Sequence, residues 1–107
     1  MTQQVPLFIN GEFVHSRSDE KLPVTNPANQ QLLAEVPHAT REEVEQAVAS
    51  AVAAFRLWKE VPVVERARLM MRYCQLLKEH HDDLAELLSQ DTGKTFEDAK
   101  GDVWRGI

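Results

Sequence analysis

Apolar residues follow two rhythms along this chain: short runs before residue 40, and a repeat every three or four residues after it. Leu7-Phe8-Ile9 and Phe13-Val14 flank Asn10-Gly11, a dipeptide suited to a two-residue turn in which both central residues need positive φ, so a β-hairpin is predicted. Residues 15–20 are polar and read as a loop. Asn26-Pro27-Ala28-Asn29 carries turn chemistry, because proline fixes its own φ and restricts the residue before it. Gln31 to Val36 reads as one more short strand, ending at Pro37. Residues 1–39 are therefore expected to form a small β-rich lead.

From residue 40 the period is helical. Thr40 with Glu43 three residues on has the spacing of a reciprocal capping box. Val44, Ala47, Val48, Ala51, Val52, Phe55 and Trp58 then form an apolar stripe that predicts a helix ending near Glu60, before Pro62. A longer helix is predicted from Pro62, with Val63, Ala67, Met70, Cys74, Leu77, His81, Leu84 and Leu88 along one face. His80-His81-Asp82-Asp83 interrupts it as a kink or a break, and Gly93 suits a left-handed end. Thr95, with Asp98 three residues later, opens a third amphipathic helix carrying Phe96, Ala99, Val103, Trp104 and Ile107. Two large apolar residues fall in its last turn with no polar tail, which leads to the expectation of a truncated chain.

Composition narrows the class. The 107 residues are 43% hydrophobic and 27% charged, the balance of one ordinary globular domain. A formal net charge of -5 gives no electrostatic reason to bind a phosphate backbone, so nucleic-acid binding is disfavoured. No apolar run approaches the ~20 residues that span a bilayer, and no secretory signal opens the chain. The single Cys74 makes no internal disulfide, so a cytoplasmic, reducing compartment is the expectation, a cleaved organelle-targeting peptide being the alternative.

Few residues offer chemistry. Thr92-Gly93-Lys94-Thr95 has the tail of a phosphate-binding loop, but Leu88 stands where the earlier glycine belongs, so the reading is a helix end followed by a helix start. Adjacent His80 and His81 point about 100° apart on a helix and make a poor metal pair. Cys74 lies mid-stripe with no activating base and reads as a packing group. Trp58 and Trp104 read as core aromatics. Arg105 has two readings: a surface ion pair with Asp102 or Asp98, or a fork gripping a carboxylate through two parallel hydrogen bonds.

The order Ile9-Asn10-Gly11-Glu12, Asn26-Pro27-Ala28, then Ala47, Ala51, Ala54-Phe55, Trp58, Arg66, Leu69 and Thr92-Gly93-Lys94 resembles the opening of the aldehyde dehydrogenase superfamily. Gly101-Asp102-Val103-Trp104-Arg105-Gly106-Ile107 resembles the methylmalonate-semialdehyde (malonate-semialdehyde) dehydrogenase group within it. The resemblance implies an α/β parent, of which residues 1–107 supply the N-terminal part of the NAD-binding domain: a hairpin and short strand in residues 1–39, then three amphipathic helices in residues 40–107. It implies an NAD-dependent oxidation of a semialdehyde with loss of carbon dioxide and transfer of the acyl group to coenzyme A. It further implies that Arg105 helps to hold the substrate carboxylate.

The family's reaction uses a cysteine thiolate, an oxyanion site and a nucleotide-bearing parallel sheet, and the resemblance assigns all of these to later parts of the chain. No catalytic, cofactor-binding or metal residue is therefore expected in residues 1–107, and the segment alone is expected to be inactive. The expected partners are the remainder of the enzyme chain, a small semialdehyde and further copies in a homo-oligomer. Another NAD(P)-dependent aldehyde dehydrogenase and a non-catalytic helical interaction module are the alternative readings.

Overall fold

The structure, a computed structural model, describes residues 3–107. The chain divides into two compact units, Met1–Val24 with Leu32–Val61 and Thr25–Gln31 with Pro62–Ile107.

In the first unit, β2 (Leu7–Ile9) and β3 (Glu12–Val14) pair antiparallel, with Phe8 opposite Phe13. Asn10 and Gly11 turn the chain with φ of 54° and 80°, the conformation this dipeptide tolerates at least cost. The Phe8 and Phe13 rings meet at 4.9 Å between centroids, a cross-strand pair of the kind that stabilises a hairpin. A second sheet has the order β1 (Gln3–Gln4), β5 (Leu32–Pro37), β4 (Lys21–Thr25), with β1 parallel to β5. The sequence signals predict β5 but neither β1 nor β4. Strand β4 contains Pro23, which demotes a run to loop or edge, and β4 is indeed an edge strand.

Helix α1 (Arg41–Trp58) begins with the full reciprocal box: Thr40 accepts from the Glu43 N–H, and Glu43 accepts from the Thr40 N–H. The same carboxylate also accepts from the Ser16 hydroxyl at 2.8 Å and the Arg17 N–H at 2.7 Å. One nearly buried side chain thus fastens the 15–20 loop to the start of a helix. These donors hold the Glu43 carboxyl below its usual range, the Arg17 N–H contributing most and the Thr40 N–H and Ser16 hydroxyl next, against an opposing push from burial. A carboxyl whose folded value is lowered adds stability above its unfolded value, about 4.3 for glutamate, and loses it as pH falls through the folded one. Glu43→Gln is therefore expected to lower the melting temperature at pH 7, with the gap to wild type closing below pH 4; parallel melting curves at every pH would refute this.

The packing face of α1 is not its bulkiest one. The residues turned inward are Glu43, Ala47 and Ser50, and Ser50 donates a hydrogen bond to the Asn10 side chain at 3.2 Å. Small side chains let the helix lie close to the hairpin. The bulky part of the predicted stripe, Val44, Val48, Val52 and Phe55, is left exposed.

In the second unit, α2 (Val63–Glu79) and α3 (His81–Thr92) are separate helices, so four helices stand where the periodicity suggested three with an interruption. The break falls at His80, whose φ and ψ of -102° and 19° leave the helical region. Helix α4 (Phe96–Gly106) starts at Thr95, whose hydroxyl accepts from the Asp98 N–H at 3.3 Å. Helices α3 and α4 pack on each other through Ala85 and Ala99, the two buried apolar residues among those described. No described helix is long and apolar enough to cross a membrane.

Asn26 shapes the segment 25–31. Its side chain accepts from the Ala28 N–H at 2.9 Å, and its backbone N–H donates to the Gln31 carbonyl at 2.8 Å.

Candidate functional site

The α3–α4 corner gathers the charged groups on which a site can be built. Gly93 ends α3 with φ 74°, its N–H donating to the Ser89 carbonyl. Lys94 follows immediately and is held on both sides by its backbone. The Ser89 hydroxyl donates to its carbonyl at 2.7 Å, and its N–H donates to the Thr92 hydroxyl at 3.4 Å. Thr95 then caps α4, and two turns later Asp102 lies within reach of Lys94.

Asp102 divides its two oxygens between two cations. Oδ2 accepts from Lys94 Nζ, and Oδ1 accepts from Arg105 Nη1 at 2.6 Å. The hydrogen bond from Lys94 is the largest cause of its carboxyl lying below the usual range; the charges of Lys94 and Arg105 add to it, against burial. The two readings of Arg105 meet here. The ion pair with Asp102 is present, while the Arg105 side chain is 76% exposed and makes no other described hydrogen bond or ion pair. An open groove of ≈ 450 Å³ lies beside it, lined also by Glu97, Asp98 and Gly101. With three carboxylates against two cations in this groove, an anion would be held by the local geometry of Arg105 and not by the field of the whole groove.

The α3–α4 packing has its own polar clamp. His81 Nε2 lies 2.8 Å from the Lys100 carbonyl oxygen, which can only accept, so this nitrogen carries the proton. The His81 ring sits 6.1 Å from Trp104. Asp82 pairs with Lys100 at 2.8 Å; the hydrogen bond between them lowers the Asp82 carboxyl and raises the Lys100 ammonium from their usual values. His80 turns instead to Asp83 at 3.2 Å. The two histidines serve different contacts, and among the described residues no three His, Cys, Asp or Glu side chains gather as a metal ion would need.

Cys74 is half-buried in α2, with Sγ 3.9 Å from the Ile107 carbonyl oxygen, a setting without the basic partner that activates a thiol. Trp58 and Trp104, read as core aromatics, are 41% and 60% exposed. The Thr92–Thr95 turn joins one helix to the next with no preceding strand, so no phosphate cradle forms there. Lys94 was not legible as a partner of Asp102, because it precedes α4 and meets it only through the turn at Gly93.

The sequence pattern of the aldehyde dehydrogenase family matches residues 13–107. Malonate-semialdehyde dehydrogenase 3 of Geobacillus kaustophilus is 50% identical over 106 residues, 99% of this chain and 22% of that protein. The human mitochondrial methylmalonate-semialdehyde/malonate-semialdehyde dehydrogenase (acylating) is 43% identical over 103 residues, 96% of this chain and 19% of that one. Among solved structures, a Sinorhizobium meliloti protein assigned as a methylmalonate-semialdehyde dehydrogenase, in complex with NAD, superposes with a TM-score of 0.94 at 38% identity, over 99% of this chain and 22% of that one. The chain thus spans about a fifth of the length of the relatives it matches.

Proposed function

The chain belongs to the aldehyde dehydrogenase family, and on that premise we propose that it forms the N-terminal part of the NAD-binding domain of a CoA-acylating malonate- or methylmalonate-semialdehyde dehydrogenase. The observation that carries the reading is the 50% identity with a malonate-semialdehyde dehydrogenase over 106 residues. The reaction oxidises the aldehyde carbon by two electrons, which pass to NAD as hydride. The substrate carboxylate leaves as carbon dioxide, a proton replacing it on the α-carbon, and the acyl group ends on the coenzyme A thiol, which gives up its proton. A reducing compartment and a homo-oligomeric parent go with this reading.

The part this chain plays in that reaction is recognition. The free edge of the Arg105 guanidinium presents parallel N–H donors to the substrate carboxylate, which distinguishes a semialdehyde from a plain aldehyde. NAD and coenzyme A find no glycine-rich turn from strand to helix among the described residues. Both are assigned to the rest of the enzyme, as are the nucleophile and the oxyanion site. The exposed stripe of Val44, Val48, Val52 and Phe55 supports the same division, because so much apolar surface on one helix face is usually covered by more protein.

The enzyme that carries these residues is expected to sustain NADH formation from malonate or methylmalonate semialdehyde, beyond one equivalent per site, only when coenzyme A is present; turnover indifferent to coenzyme A and to the substrate carboxylate would reject the reading. Residues 1–107 alone are expected to produce no NADH from malonate semialdehyde above a blank. Turnover by that pure polypeptide would mean that its one cysteine, or another group within it, does the chemistry.

A further inference from the structure

We propose that Asp102 is a positioning residue for Arg105, gripping one edge of the guanidinium so that the rest of the fork meets the substrate carboxylate in a fixed orientation. The inference rests on the reading of Arg105 as the carboxylate receptor.

Three observations lead to it. First, the order of burial runs the right way for an anchor. The Asp102 side chain is 25% exposed and that of Arg105 is 76% exposed, so the carboxylate is the inner, fixed member and the guanidinium the outer one. Second, the anchor is itself anchored. Lys94 takes the other carboxylate oxygen, and the Gly93 turn with its Ser89 and Thr92 contacts sets where Lys94 stands. Third, the surface beneath the guanidinium is bare. Nη2 lies 3.8 Å from where a β-carbon would stand on Gly101, so no side chain from that position competes for the fork.

A carboxylate three residues before an arginine is a common helix-surface pair, and alone it would argue only for helix stability. The second cation changes its meaning. An unshielded Asp102 would repel an incoming carboxylate at close range. With Lys94 bound, Asp102 is neutralised locally, although Glu97 and Asp98 still line the groove, and one edge of Arg105 is held before substrate arrives. A receptor fixed in advance loses less side-chain freedom on binding than a free arginine would.

The test uses the complete enzyme, with malonate semialdehyde and propanal as paired substrates. Asp102→Ala is expected to raise KM for malonate semialdehyde roughly tenfold, with KM for propanal and kcat for both substrates moved less than about threefold. Asp102→Asn, which keeps an oxygen for Arg105 Nη1, is expected to recover most of that loss. Added to Arg105→Leu, Asp102→Ala is expected to cost no further selectivity, because a positioning residue has nothing left to position. Equal losses on both substrates, or full additivity with Arg105→Leu, would reduce Asp102 to a structural residue. Should Asp102→Ala fail to fold, Lys94→Met carries the test, expected to raise KM for malonate semialdehyde alone; no selective effect from it would overturn the proposal. An Arg105→Leu enzyme that loses both substrates alike counts against Arg105 as the receptor. A selective Arg105→Leu with a non-selective Asp102→Ala counts against the positioning role alone.

Discussion

Replacing Arg105 with leucine is expected to lower kcat/KM for malonate semialdehyde roughly 10- to 150-fold while leaving propanal within about threefold, because hydrogen bonds to a charged partner contribute about 1.5–3 kcal/mol. The replacement keeps an apolar side chain on α4 and removes the planar fork. Asp102 then keeps its bond to Lys94 and stays paired, so the loss reports recognition of substrate and not an orphaned charge on the protein. Lysine at the same position is expected to restore only part of the loss, since an ammonium offers a point charge where the fork offers two parallel donors. Steady-state kinetics on the two aldehydes provide the check, and equal losses on both would remove Arg105 from the pocket.

The second large effect is one of stability. Gly93→Ala is expected to destabilise the protein by about 2–4 kcal/mol, seen as a lower denaturant midpoint, from two sources that add. The backbone at Gly93 has φ 74°, where any β-carbon is strained. That carbon would also stand 2.9 Å from Cγ of Pro27, closer than two carbons sit without something moving. Gly11 separates the two costs. It has φ 80°, but nothing lies within 4 Å of its would-be β-carbon, so Gly11→Ala should lose only the backbone share, about 1–2 kcal/mol. If the two variants lose the same amount, the approach of Pro27 contributes nothing.

What could be read from the sequence follows from how local each signal is. Asn10-Gly11, the Thr40 and Glu43 box, Gly93 and Thr95 each specify a backbone conformation within a few residues, and each stands where it was expected. Strand β4 was hidden by Pro23, whose local meaning is a breaker unless the strand is known to lie at an edge. Periodicity finds the apolar stripe of α1 but not the part of the helix that the hairpin accepts, which carries Ala47 and Ser50. Glu43 was legible as a cap but not as a hub, since Ser16 and Arg17 lie 27 and 26 residues away. At the candidate site, Arg105 and its partner Asp102 were legible from helix spacing. Lys94 required the turn at Gly93 to bring it back toward α4.

The wiring of Glu43 has a consequence for motion. The amides of Arg17 and Thr40 bond to the two oxygens of one carboxylate, Oε1 and Oε2, so withdrawal of that side chain releases both. Peeling of the 15–20 loop and fraying at the first turn of α1 thus become one cooperative opening rather than two independent ones, and the hydroxyl of Ser16 travels with both.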